Sequence, residues 1–217
     1  MDIRKVALGL ILAGAAGVGV SVLSGFGISD APKMEITSVS DFSNKAVYKV
    51  DGVHSSLVFS IRHNGVSNFM GQFNGISGTF VAVPETNQVA TVEVSIKADS
   101  VNTGNEGRNN HLKGGDFFSA KEFPEITFKG SGSAFADSKG KIRGDLTMLG
   151  VTKPIEAEAE FIGTGESRGK KIAGFQVKFE IKRSDFGMNY GIANNALGDS
   201  VTITASFEGA EQEGEGR

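Results

Sequence analysis

Ile155-Glu156-Ala157-Glu158-Ala159-Glu160-Phe161 alternates apolar and acidic side chains without a break. In an extended chain successive side chains point to opposite faces, so the three glutamates share one wet face while Ile155, Ala157, Ala159 and Phe161 share the other. The same period of two recurs along the chain. Leu57, Phe59 and Ile61 alternate with Val58, Ser60 and Arg62, and Val92, Val94, Ile96 and Ala98 alternate with Thr91, Glu93, Ser95 and Lys97. Phe175, Val177, Phe179 and Ile181 repeat the pattern, as do Val201, Ile203, Ala205 and Phe207. Residues 71–83, 126–129 and 141–149 supply further strands, with turns at 137–140 and 163–169. From Ala46 onward the spacing predicts an all-β domain of eight to nine antiparallel strands, each with one apolar face. Such a meander either packs as a sandwich or closes into a barrel, and the periodicity leaves both open.

One segment interrupts the strands. Residues 108–120 read as a short helix, entered through the turn-forming residues 102–107 and stopped by Pro124. Gly114 and Gly115 each cost about 1 kcal/mol of helix propensity relative to Ala, so two turns are expected. They would cover one end or flank of the strands.

Composition narrows the chemistry. The 217 residues carry 22 Lys+Arg against 25 Asp+Glu, a net charge of −3, which lacks the basic excess expected of a nucleic-acid binder. With no cysteine there is no disulfide, thiolate metal site, cysteine nucleophile or lipid-modified cysteine anchor. Glycine, at 30 residues, is about twice its usual ~7% share, which points to many turns and close backbone approaches. There are 16 Phe, 2 Tyr and no Trp, so the apolar faces carry rings without polar handles and enclose a dry interior. Whether that interior is filled or hollow is not written in composition.

The chain opens with the basic pair Arg4-Lys5, followed by an uncharged stretch over residues 6–23. This reads as a targeting helix, either a signal peptide or a membrane anchor within residues 1–28, since its length lies between a signal core and a full span. Residues 29–45 read as a polar linker, 46–210 as the main domain and 211–217 as a disordered tail. The expected location is periplasmic or otherwise extracytoplasmic, with residues 6–23 available to anchor the chain to the inner membrane.

Catalytic patterns are missing. His54, His63 and His111 show no metal-ligand spacing, Gly-x-Ser-x-Gly is absent, and Glu156, Glu158 and Glu160 read as a solvated strand face. No catalytic residue, metal ligand or cofactor is assigned. His63 shares parity with Leu57, Phe59 and Ile61, so it turns inward near a strand end. Arg108 and His111 lie three apart on the helix and share a face, either as a surface ion-pairing group with Asp116 nearby or as part of a cap over a cavity.

Ordered motifs then carry a resemblance. Val50-Asp51-Gly52-Val53-His54-Ser55 and Phe59-Ser60-Ile61-Arg62-His63 are followed by Arg108-x-x-His111-Leu112, Asp116-Phe117-Phe118 and Phe123-Pro124. Gly144-Asp145-Leu146-Thr147, residues 150–154 and Arg183-Ser184-Asp185-Phe186-Gly187 complete the series. Together these resemble the YceI-like, lipocalin-fold polyisoprenoid-binding proteins over most of the chain after Val47. Asn109 departs from the pattern, standing where members often carry an acid. The resemblance implies an extended eight-stranded antiparallel barrel with one short helix, preceded here by the N-terminal hydrophobic helix. It implies an exported, non-enzymatic carrier of a long isoprenoid lipid, a polyprenyl or quinone-type chain, held in an apolar cavity. On that reading Leu57, Phe59, Ile61, Val94, Ile96, Phe128, Leu146, Phe175, Phe179 and Ile203 are expected to line the cavity, and His63, Arg108 and His111 its mouth. Membrane contact through the N-terminal helix and a homodimer are both compatible with it. The rival readings are an enzyme acting on an isoprenoid quinone or lipid head group through His63 or His111, and a structural or stress-related domain with a filled core.

Overall fold

The computed structural model describes residues 44–213. The expected leader, almost all of the linker and residues 214–217 of the expected tail lie outside the described residues. Among the described residues no helix is long and apolar enough to cross a membrane.

Eleven strands form one antiparallel sheet: β1 (Ala46–Val50), β2 (Ser56–His63), β3 (Ser67–Phe73), β4 (Ile76–Val83), β5 (Gln88–Lys97), β6 (Val101–Asn102), β7 (Glu125–Ala136), β8 (Lys139–Met148), β9 (Val151–Ser167), β10 (Lys170–Lys182) and β11 (Leu197–Glu211). The eight to nine strands expected from periodicity become eleven because three long runs are each broken once. β1 and β2 are separated at residues 51–55, where the Asp51 carboxylate accepts hydrogen bonds from the Val53 and His54 backbone at 2.8 and 3.3 Å. Both halves pair with β11, through Val50 opposite Gly209 and Leu57 opposite Ala205. β3 and β4 part at Asn74-Gly75, and β5 and β6 at the 3-10 turn Ala98–Ser100. Each half of one run pairs with a half of the next, β1 with β4 and β2 with β3, then β4 with β5 and β3 with β6. From β7 to β11 every strand pairs with its successor. With β5 joined to β7 and β11 returning to β1 and β2, the ladder runs round a circuit of eight runs and arrives where it began.

The turns between the later strands are shorter than the sequence led us to expect. Of the expected turns 137–140 and 163–169 only Asp137-Ser138 and Arg168-Gly169 separate the paired strands, each with φ positive at both residues, as does Leu149-Gly150 between β8 and β9. Two left-handed residues match the right-handed twist of the flanking strands, so pairing continues into Lys139-Gly140 and back through residues 163–167. At the other end of the chain β11 runs to Glu211, and the Gln212 amide donates to the Val47 carbonyl at 2.8 Å.

The predicted helix over 108–120 is corrected to α1 (Glu106–Leu112). It begins two residues earlier because the Asn105 side chain accepts from the Arg108 amide at 2.9 Å, an N-cap. It ends before Gly114-Gly115, where helix propensity collapses, and residues 113–120 continue as turns stitched by Phe118 N to Leu112 O and Ala120 N to Lys113 O.

Strand parity places the faces. Ala157, Ala159 and Phe161 on β9 are buried, while Glu156 and Glu158 are exposed and Glu160 half-buried. Glu156 pairs across the ladder with Lys141 and Arg143 on β8, and Glu93 on β5 with Lys129 on β7 at 3.2 Å. These are solvated cross-strand pairs that fix register on the outer face and contribute little to stability.

Candidate functional site

The inner face encloses a cavity of about 570 Å³. The structure places every sequence candidate on its wall or rim: Leu57, Phe59 and Ile61 on β2, Val94 and Ile96 on β5, Phe128 on β7, Leu146 on β8, Phe175 and Phe179 on β10, Ile203 on β11, and His63, Arg108 and His111. The wall follows from parity. Why it encloses a hollow follows from glycine. Gly71 on β3 lies opposite Phe59, and a Cβ there would come within 2.7 Å of Phe59 Cε1. Gly130, two residues beyond Phe128 on the same strand β7, makes similar room, with a Cβ 2.6 Å from Phe128 Cζ. Each ring therefore lies over bare backbone instead of projecting toward the centre.

The rim is polar. The Arg108 guanidinium donates to the Thr103 hydroxyl at 2.8 Å and to the Thr103 carbonyl at 2.7 Å, and its carbon sits 4.3 Å from the centre of the Phe69 ring. Asn109, the departure noted in the sequence, accepts from the Thr103 amide and hydroxyl at 2.8 and 2.6 Å and so fixes the strand-to-helix connection. His111 is at once a hydrogen-bonding partner of Asp116 and part of the cap. Its Nε2 lies 2.9 Å from the Asp116 carboxylate on the exposed side, while its ring meets Phe117 and Tyr190 edge-on at 5.1 and 5.2 Å and borders the cavity. His63 ends β2 at the same rim.

Sequence reading missed the segment that covers the mouth from the other side. Met188, Tyr190, Ala196 and Leu197 all border the cavity, and Arg183 ties Met188 to Leu197 and Gly198. Its side chain, 1% exposed, donates from Nε to the Gly198 carbonyl at 2.8 Å, from one terminal nitrogen to Met188 at 3.0 Å and from the other to Leu197 at 3.3 Å. Burial pulls the guanidinium below its ordinary pKa, against the favourable charge of Asp199. Asp199 in turn accepts from the Ser184 amide and hydroxyl at 2.9 and 2.8 Å. Partial burial works to raise that carboxyl, but the two hydrogen bonds from Ser184, together with the charges of Arg183 and Lys182, outweigh it and hold the pKa below the usual carboxylate value. The only signal in the sequence was the motif 183–187, whose arginine gave no hint that its partners would be carbonyls.

Away from the cavity, Asp51, His54 and Glu208 bring their potential ligand atoms within 4.8 Å of one another. The His spacing had given no sign of this grouping. His54 Nδ1 is hydrogen-bonded to the Asp51 carboxylate at 2.8 Å, which raises the imidazole pKa and lowers that of the acid. None of the three lines the hollow.

What this arrangement can do chemically is enclose an apolar chain and meet its end with basic and aromatic groups. Comparison with known proteins places the chain among relatives of one family. Residues 48–209 match the model of the YceI-like domain family. The YceI protein of Escherichia coli O157:H7 is 35% identical over 170 residues, covering 77% of this chain and 88% of the relative. A crystal structure of a Campylobacter jejuni YceI protein is 36% identical with a TM-score of 0.64, covering 70% of this chain and 91% of that one. A polyisoprenoid binding domain from Saccharophagus degradans, implicated in plant cell wall breakdown, shares the fold at 17% identity and a TM-score of 0.60, over 77% of this chain and 99% of its own.

Proposed function

Because the chain belongs to the YceI-like domain family, we propose that it is a non-enzymatic carrier that holds an isoprenoid chain inside an eight-run β-barrel. The observation that carries the reading is a hollow of about 570 Å³ walled mainly by aliphatic and phenyl side chains. The closed pairing circuit supports the barrel, and the fold shared with a polyisoprenoid binding domain supports the ligand class. Each CH₂ taken from water contributes about 0.8 kcal/mol, so one isoprene unit is worth about 3–4 kcal/mol. Several units offset an association cost of about 10 kcal/mol. A bilayer offers the same tail nearly the same transfer energy, so exchange with a membrane is close to balanced, which suits a shuttle or buffer. On this reading His63, Arg108 and His111, which border the hollow, meet a polyprenyl or quinone-type head. The lipid is then the only group bound in the hollow, no catalytic step is needed, and residues 1–28 deliver the domain outside the cytoplasm, with membrane contact through the same segment.

The test is native mass spectrometry of the full chain after gentle extraction from its own host. A co-purified lipid whose mass belongs to a prenyl series is expected, and repeated recovery of the bare chain after incubation with prenyl lipids would overturn the reading. Phe179→Asp, which puts a charge on the cavity wall, is expected to abolish uptake. A folded variant that takes up lipid as well as the parent would contradict the assignment of that wall.

A further inference from the structure

We propose that Asp51, His54 and Glu208 form a binding site for a divalent transition cation of the zinc class, on the outer face where the pairing circuit closes. The three side chains bring one nitrogen and two carboxylate donors within 4.8 Å of one another, and no other such set of three occurs among the described residues. Two carboxylates and a neutral imidazole balance the charge of a divalent ion. The mixed donor set also chooses among ions, since imidazole suits zinc, copper and nickel, whereas magnesium and calcium take oxygen donors. His54 and Asp51 are both exposed, so an ion enters from solvent without passing through the hollow.

Backbone bonds set the donors in place. The Asp51 amide donates to the Glu208 carbonyl at 2.8 Å, while the Ser55 hydroxyl donates to that carbonyl at 3.3 Å and accepts from the Glu208 amide at 3.1 Å. Both ends of the bend at 51–55 thus grip position 208, although Ser55 and Glu208 are 153 residues apart in the chain. Gly52 lets the bend lie close against β4, since a Cβ there would stand 2.5 Å from the Ile76 carbonyl oxygen. Asp51 divides its oxygens. One accepts from the Val53 and His54 amides and keeps the bend, which leaves the other, 2.8 Å from His54 Nδ1, to bind an ion. Supporting bonds of this kind orient a metal-binding carboxylate. Zinc holds nitrogen and oxygen donors at about 2.0–2.2 Å, so neighbouring donors in a tetrahedron stand about 3.3–3.6 Å apart. Opening the Asp51–His54 contact by about 0.5 Å and swinging Glu208 inward meets that spacing. Glu208 is tied to the bend through its backbone, which leaves its carboxylate able to swing. Arg168 is the cation whose charge reaches His54, and the two carboxylates outweigh it. Three protein donors leave the fourth position of a tetrahedral ion to water. A bound ion fastens the bend between β1 and β2 to β11, and because the donors meet only in the folded chain, binding adds to stability.

Calorimetric titration of zinc into the full chain, stripped beforehand with a chelator, tests this. One equivalent is expected to bind saturably, and the thermal midpoint should rise with zinc concentration. About a hundredfold excess of magnesium or calcium should displace none of it. His54→Ala and Glu208→Gln each remove one donor, and each should weaken binding by at least tenfold, the least that loss of a metal's supporting partners costs. Absence of saturable zinc uptake by the unaltered chain overturns the proposal, as does a midpoint that ignores zinc or parental affinity in either folded variant. Displacement by calcium overturns the assignment of His54 as a donor. Should His54→Ala fail to fold, Glu208→Gln decides, because it leaves the backbone bonds to the bend unchanged. None of the three side chains lines the hollow, so each of these results leaves the carrier reading where it stands.

Discussion

Gly71 and Arg183 show how single residues keep the interior open and its mouth ordered. A methyl at position 71 would meet the edge of Phe59 at 2.7 Å and the Thr103 methyl at 2.9 Å. The ring has backbone behind it and the hollow in front, so Gly71→Ala is expected to push Phe59 inward. The overpacking costs about 1–3 kcal/mol, and lipid retention should drop by tenfold or more while the chain still folds. Retention equal to that of the parent would mean that Phe59 has room elsewhere. Arg183 acts through its partners. Arg183→Met removes the donors to three carbonyls, one bond buried and two partly buried, and a buried acceptor left unpaired costs about 1–3 kcal/mol. Denaturant titration should register a loss of about 2 kcal/mol or more. Arg183→Lys should recover only part of it, because an ammonium cannot span three divergent acceptors as a planar fork does.

Among the elements, α1 is the least self-sufficient. Seven residues are too few to be helical alone, so its order depends on the Asn105 cap, the Thr103–Arg108–Asn109 hydrogen bonds and the rings beneath it. Asn105→Ala is expected to cost about 1 kcal/mol, and hydrogen exchange should quicken at the α1 amides while the strand amides keep their protection. The extent of this helix was only half legible. Polar residues at its start and glycines at its end bracketed it, but the capping role of Asn105 and the turns after Leu112 depend on bonds that no periodicity displays. The hairpins erred in the opposite sense. Glycines at 163 and 165 look like turn residues in isolation, yet their partners Gly174 and Ile172 keep them in the ladder. The strands themselves were legible from alternation, because facing is a property of the extended chain.

At the scale of the whole molecule, stability falls on the acid side. The carboxyls of Asp199, Asp51 and Glu156 all lie below their ordinary pKa values in the folded chain, held by Ser184 hydrogen bonds against burial, by His54, and by Lys141 and Arg143. A depressed folded pKa contributes stability that is present above the unfolded value, about 4 for these groups, and is lost as pH falls through the folded one. The unfolding midpoint is therefore expected to hold steady from pH 7 to about 5 and to decline below about 4. Asp199→Asn should remove part of that decline, whereas Glu156→Gln should change it little because its pairs are solvated. A midpoint insensitive to acid would contradict the role given to Asp199. His54 works in the opposite direction, with a pKa raised mainly by its hydrogen bond to Asp51. Its contribution is complete below the ordinary histidine value and disappears as pH rises through the folded one.

Alternation alone determined which side chains face inward, and with them the wall from Leu57 to Ile203, because the direction of a side chain in an extended strand depends only on its neighbours in the chain. The tertiary structure decided whether those side chains meet or leave a hollow. That outcome depends on what stands across the ladder: Gly71 beneath Phe59, Gly209 beside the Tyr48–Phe80 stack, and the Met188, Leu197 and Gly198 carbonyls around Arg183. Such pairings join positions as distant as Val50 and Gly209. They exist only once the ladder has returned to its starting strand, so no local pattern in the chain could display them.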